Sequence, residues 1–297
     1  DQRQAVNYFQ VFYLRRAYRI LPAYLLNLLV FVGFPLMFPA LFAGTLFTWR
    51  PLPLWSYLTL VQNLLMAAAG ELAGWAVTWS LAVEEQFYLL LPVVIRFARP
   101  WLVPILLAGV GLAPLFRHLA PNPIAAYVLP IGRCDSLFMG VLLALLMRYR
   151  PEWAHRIAAS RLLPSLALAG VALLVIYEPR WAEEPMRGLG MSAFAFAYAI
   201  LLLCAQVGPH EGLRRALRKR PLCWLGQRAY FVYLAHGTAL VALHGLILHA
   251  WPKLQTSADG VVTALSLLAT LAAAELSYRL IEEPAMRRGR ATSWRHA

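Results

Sequence analysis

Eight blocks of apolar residues, each close in length to what a helix needs to cross a bilayer, run through this chain and decide its solvent before any motif does. A helix rises about 1.5 Å per residue and the hydrocarbon layer is about 30 Å thick, so a crossing takes roughly twenty residues. The blocks lie near residues 20 to 41, 77 to 97, 101 to 116, 134 to 148, 161 to 177, 189 to 207, 229 to 250 and 260 to 281. Hydrophobic residues make up 61% of the 297 positions and charged residues 14%, more apolar matter than a water-soluble core requires. Lipid offers backbone groups no partners, so the predicted fold is all-α, a polytopic transmembrane helical bundle of about eight spans. A ninth stretch, Leu54 to Ala69, is short and follows Pro51 and Pro53. It is expected to be re-entrant or interfacial rather than a crossing.

Basic residues orient the bundle. With eight spans, Arg50, Arg117, Arg133, Arg180, Arg187 and Lys253 fall on one side and the other 21 of the 27 Lys and Arg, Arg3 and Arg161 among them, on the opposite side. Such an excess marks the cytoplasmic face, which places both ends of the chain inside the cell and the bundle in a plasma or inner membrane. The net charge of +13 is therefore assigned to topology and to anionic lipid headgroups, and nucleic acid is not expected as a partner. Cys134, Cys204 and Cys223 have no metal-ligand spacing and are odd in number, so they read as buried small hydrophobes, with neither a metal nor a disulfide framework. Gly208 to Arg228 reads as a basic loop. No polar linker divides the chain and no internal repeat is evident, so residues 1–297 are read as one domain.

Ionisable side chains within a bilayer cost about 2.5–3.5 kcal/mol each on insertion scales, which makes those that remain functional candidates. In TWSLAVEEQFYLLLP, Ser80, Glu84 and Tyr88 recur every four residues along one helix face, Glu85 points about 100° away, and Trp79 is expected at the membrane interface. Glu84 is either a structural carboxylate tying helices together or a desolvated one that orients or assists a base. FYLRRAYRILPAY sets Arg16 and Arg19 three apart where a helix leaves the cytoplasm; guanidinium forks there suit the phosphates of an anionic cosubstrate, though plain topogenic charge explains them equally. GRCDSLFMG brings Arg133 and Asp135 to the outer end of a helix, where capping, a mutual ion pair or a catalytic role all fit. LGQRAYFVYLAHGTAL puts Tyr230, Tyr233 and His236 on one face, either as a buried hydrogen-bonded histidine or as the lining of a channel. In ELSYRLIEEPAMRRGR, Glu275, Tyr278 and Glu282 share a face, and Glu282 beside Arg279 and Arg287 reads as an interfacial ion cluster.

Taken together and in this order, WSLAVEEQFYL, FYLRRAYRILPAY, RCDSLFMG, LGQRAYFVYLAH and SYRLIEEP resemble the acyltransferase-3 family of membrane O-acyltransferases, particularly its lipopolysaccharide and peptidoglycan O-acetylase branch, from about Phe12 to Arg288. The resemblance implies a bundle of about ten helices that takes an acyl group, usually acetyl, from cytoplasmic acyl-CoA and delivers it to a hydroxyl of a cell-envelope carbohydrate outside. It assigns Arg16 and Arg19 to acyl-CoA, Glu84 to the acidic position of the WSLxVE motif and His236 to the cosubstrate channel. Trp79, Ser80, Arg133 and Asp135 are the candidates for holding the acceptor glycan. The resemblance also implies a catalytic histidine in a first helix, preceded by an arginine, and a second helix after it. The sequence opens at Asp1 where a third family helix should begin, so the chain is expected to be a fragment or processed form without its catalytic base. Two other readings compete: a proton-coupled transporter using Glu84, His236 and Glu275, and a non-catalytic remnant that serves as a membrane scaffold.

Overall fold

The structure is a computed structural model that describes residues 4–39, 52–160, 162–177, 182–209 and 211–295. Arg3, Arg50, Arg161 and Arg180 of the charge count, and the end of the first predicted span, lie outside the described residues. Helices and turns account for the ordered elements, with no strand among the described residues. By packing, the chain forms two compact units interleaved in sequence, one of Asp1–Thr59, Ala73–Thr78 and Arg220–Ala297 and the other of Leu60–Leu72 and Trp79–Lys219.

In the first unit, α1 (Tyr8–Met37) packs with α12 (Arg220–Leu248) and α13 (Ser257–Ser277), and the short α14 (Glu283–Ala291) lies along the start of α1. α2 (Leu54–Leu58) completes this unit. Small residues let the helix backbones approach: Ala23, Ala235 and Ala274 are buried together with Phe231. One wide turn, Tyr278–Glu282, joins α13 to α14 without breaking the helix.

The second unit holds α3 (Gln62–Ala69), α4 (Trp79–Phe97), α5 (Leu102–Leu119), α6 (Pro123–Val128), α7 (Cys134–Tyr149), α8 (Pro151–Ala158), α9 (Leu162–Tyr177), α10 (Met191–Val207) and α11 (Glu211–Leu217). Amide side chains stitch its short helices to its long ones. Asn63 and Gln86 exchange hydrogen bonds at 3.2 and 2.9 Å, and Asn122 caps α6 through Ala125 N–H at 2.7 Å while donating to the Ala67 carbonyl at 3.1 Å. α9 is apolar on every side, as expected of a helix facing lipid and neighbours rather than water.

Six helices among the described residues are long and apolar enough to cross a membrane, and a seventh crossing results if α8 and α9, bent by 67°, count as one span. The chain is thus a multi-span helical membrane protein, with fewer apolar crossings than the eight expected. The difference is α4, whose 19 residues are long enough but carry Glu84, Glu85 and Arg96. Leu54 to Ala69 forms two short helices, α2 and α3, neither of them able to cross. The expected basic loop from Gly208 to Arg228 is instead largely helical, through α11 and the first turns of α12, because Arg, Leu and Glu are good helix formers whatever their charge.

Candidate functional site

In the second unit, the end of α6, the starts of α7 and α10 and the last turn of α9 meet around a cavity of about 460 Å³. It is lined by Tyr127, Arg133, Asp135, Ser136, Met191 and Tyr198 among others. Trp79 and Tyr127 stand with ring centroids 4.6 Å apart, and the Arg133 guanidinium lies over both, 5.4 Å from one centroid and 5.2 Å from the other. Trp79 is therefore buried against a neighbouring ring and a cation. Arg133 Nη1 also reaches the Met191 sulfur at 3.3 Å. Neither Trp79 nor Ser80 lines the cavity; Trp79 packs against Tyr127 and Arg133, which do.

The sequence left a choice of partners for Asp135, and the structure gives it to Arg117 rather than Arg133. Arg117 is fully buried and its Nη1 is 2.9 Å from Asp135 Oδ2. The same guanidinium donates to the Gly132 carbonyl at 2.6 Å, to the Gly188 carbonyl at 2.7 Å and to Ser192 Oγ at 2.6 Å, and Ser192 in turn donates to Asp135 Oδ2 at 2.6 Å. Asp135 Oδ1 accepts from the Ser136 N–H at 2.8 Å. A buried charge needs its partners supplied, and here every donor of the planar fork is directed at an acceptor. In the sequence Arg117 stands out only as one of six cations assigned to the outer side. No local pattern singles it out, because its acceptors come from residues 15 to 75 positions away.

The remaining candidates lie in the first unit, apart from Glu84. The three arginines at the start of α1 have different environments. Arg15, which the motif spacing does not single out, donates to the Thr292 carbonyl at 2.6 Å and sits 5.4 Å over the Trp294 ring, whereas Arg16 is half-buried and Arg19 exposed. Tyr230 and Tyr233 each donate to a backbone carbonyl, of Ile20 at 3.1 Å and Val77 at 2.8 Å. His236 is exposed, with Nδ1 2.7 Å from the Tyr233 carbonyl of its own helix, so it is not a buried hydrogen-bonded histidine. Beyond it, Trp75 stacks on Tyr24 and Phe31 with centroids 5.6 and 5.4 Å away and donates its indole N–H to the Leu234 carbonyl at 3.3 Å. Tyr57 accepts the Trp75 N–H at 2.9 Å. Burial pushes the Tyr57 phenol up to about 12, so it stays neutral.

A family model described as an acyltransferase domain matches residues 8–277. The chain belongs to the acyltransferase-3 family. The O-acetyltransferase OatA of Staphylococcus aureus is 26% identical over 229 residues, which cover 71% of this chain and 36% of that protein. The peptidoglycan O-acetyltransferase OatA of Listeria monocytogenes is 26% identical over 226 residues, covering 71% of this chain and 35% of that protein. The chain thus spans about a third of the length of the curated relatives it matches. No solved structure matches it.

The acyltransferase-3 match takes in Arg16, Trp79, Glu84, Arg133, Asp135, His236 and Glu275 and leaves out Glu282 and α14. Three acidic candidates have defined surroundings. Glu84 is exposed on the surface of α4, whose buried residues include Trp79, Leu81, Ala82 and Val83. Glu275 is saturated: Arg228, Arg279 and Trp224 all donate to it, the last at 2.8 Å. The expected Glu282 ion cluster does not form, since Arg279 goes to Glu275, Arg287 pairs with Glu283 at 2.7 Å, and the buried Glu282 accepts from Ser277 Oγ at 3.0 Å. None of the three cysteines forms a disulfide; Cys204 is buried, Cys134 half-buried and Cys223 exposed, so the reading of three buried thiols holds only in part.

Proposed function

We propose that this chain is the membrane domain of a cell-envelope O-acetyltransferase, taking an acyl group, in the first instance acetyl, from cytoplasmic acyl-CoA and passing it to a carbohydrate hydroxyl on the other side. The observation that carries this reading is the cavity of the second unit, lined by the rings of Tyr127 and Tyr198, the Arg133 guanidinium and the Asp135 carboxylate, in a chain of the acyltransferase-3 family. Apolar ring faces beside a cation and hydrogen-bonding groups suit a sugar ring, which presents C–H faces and hydroxyl edges. The names of the relatives, peptidoglycan O-acetyltransferase among them, favour an envelope glycan as the acceptor.

The transfer breaks the thioester C–S bond, forms an ester C–O bond, and moves the acceptor hydroxyl proton by way of a base to the departing CoA thiolate. In this reading Arg16 and Arg19 hold the phosphates of acyl-CoA, His236 lines its path, and Trp79, Tyr127 and Arg133 hold the acceptor. Ser80 stays a candidate acceptor contact beside Trp79; both lie outside the cavity wall, with Trp79 backing Tyr127 and Arg133. Glu84, exposed on α4, is assigned the role of orienting the base. Asp135 is a poor base for this step because Arg117, Ser192 and the Ser136 N–H already occupy its oxygens. The saturated Glu275 likewise weakens a proton-relay transporter.

The test is acetyl transfer from radiolabelled acetyl-CoA to envelope glycan in membranes carrying the full-length protein. Arg133→Ala is expected to raise the acceptor KM by roughly tenfold or more, the equivalent of a desolvated cation–π contact. Transfer by the parent protein that Arg133→Ala and Trp79→Ala leave untouched would sink the acceptor assignment. Solute flux without transfer would favour the transporter.

A further inference from the structure

α14 and the residues after it lie beyond the family match, yet they are fastened to the start of α1. Gly289 faces α1 so closely that a Cβ there would come 3.0 Å from Tyr18 Cβ and 3.5 Å from Arg15 Cα. The following strap, Thr292 to Arg295, is held at several points. Thr292 accepts from Arg15, Trp294 stacks on Tyr8 at 5.8 Å, Ser293 accepts from the Asn7 amide at 3.0 Å, and Arg295 exchanges backbone bonds with Asn7 Oδ1 at 2.8 Å and Val6 N–H at 2.9 Å. Residues on either side of a helical contact position project about 100° to each flank. Arg288 and Arg290 therefore flank the seam where α14 meets the turn of α1 that carries Arg15, Arg16 and Arg19, and both are exposed. The acids nearby are already engaged, Glu283 by Arg287 and Glu282 by Ser277. The result is an end of the unit rich in guanidinium, with Arg15 spent on the strap.

We propose that α14 and its strap complete the phosphate-binding face of the acyl-CoA site, with Arg288 and Arg290 adding to Arg16 and Arg19 in holding the nucleotide phosphates. This rests on the reading that Arg16 and Arg19 bind acyl-CoA. Several guanidinium groups around one di- or triphosphorylated ligand give charge-assisted, multiply bonded recognition. The strap makes that array part of the folded unit rather than a loose tail.

The experiment measures CoA binding by titration calorimetry to the full-length protein in nanodiscs, once in phosphatidylcholine and once with phosphatidylglycerol added. Removal of both charges in R288A/R290A is expected to weaken binding at least about tenfold in neutral nanodiscs at an unchanged unfolding temperature, with part of the loss restored by R288K/R290K. Undiminished binding by R288A/R290A, while R16A/R19A loses it, would overturn the role of α14 and leave the donor reading standing. No CoA binding by the parent protein would overturn both. A defect confined to association with phosphatidylglycerol, with CoA binding intact, would make these arginines headgroup contacts and overturn the proposal.

Discussion

A single buried arginine organises the cavity wall. Arg117 draws the Gly132 and Gly188 carbonyls, Ser192 and Asp135 to one point, and so fixes both the turn before α7 and the wide turn at Met186–Gly190 before α10. Removing one member of a buried ion pair leaves the other uncompensated, typically at a cost of about 3–5 kcal/mol. Arg117→Gln is expected to lower stability by about that much, whereas Arg117→Met with Asp135→Leu should cost clearly less, both read as unfolding midpoints of the purified protein in detergent. Ser192→Ala removes one donor and one acceptor from the same cluster and is expected to cost about 1–3 kcal/mol in the same assay. Equal losses in the single Arg117 variant and the double variant would show that the pair is not the unit of stability.

Helix ends, more than helix bodies, decide where the site residues lie. Gly132 sits in the turn that precedes α7, and a Cβ there would overlap the Ala126 carbonyl oxygen. Backbone gives way less readily than a side chain, so Gly132→Ala is expected to cost about 1–3 kcal/mol and to lower transfer by displacing Arg133, measured as unfolding midpoint and acceptor KM together. At the start of α13, Thr256 accepts from the Asp259 N–H at 3.2 Å while the Asp259 carboxylate accepts from Thr256 N–H at 2.9 Å, a reciprocal cap. Thr256→Ala should cost about 1 kcal/mol with no effect on substrate KM, which separates a cap from a site. The apolar bodies of these helices were legible in the sequence because length and hydropathy are local. Their extensions were not: α1 starts at Tyr8 and α12 at Arg220, each through a charged turn that hydropathy reads as loop.

On the scale of the whole chain, the charge asymmetry predicts a direction through the membrane, and Cys223 offers a native probe of it. Cys223 is exposed near the start of α12, in the segment assigned to the cytoplasmic side. A membrane-impermeant maleimide is expected to leave it unlabelled in intact cells and to label it after permeabilisation, while a cysteine placed at Glu183, in the turn before α10, should label in intact cells. Labelling of Cys223 from outside would invert the topology and with it the assignment of donor and acceptor faces. The two-unit division adds an organisation that composition does not reveal. It places Arg16, Arg19 and His236 in one unit and Glu84, Trp79, Arg133 and Asp135 in the other.

The amino-acid sequence by itself determined the all-helical membrane fold, the motifs of the acyltransferase-3 family, and the segments that carry Arg16, Glu84, Arg133 and His236, because each depends on residues adjacent along the chain. Tertiary structure alone decided which of these are buried and which partners they take. It exposed Glu84 and His236, gave Asp135 to Arg117, and tied Arg15 to a strap 277 residues away. The reason is physical: a charge in a desolvated place must find its counter-groups wherever packing brings them, and packing is not local in sequence.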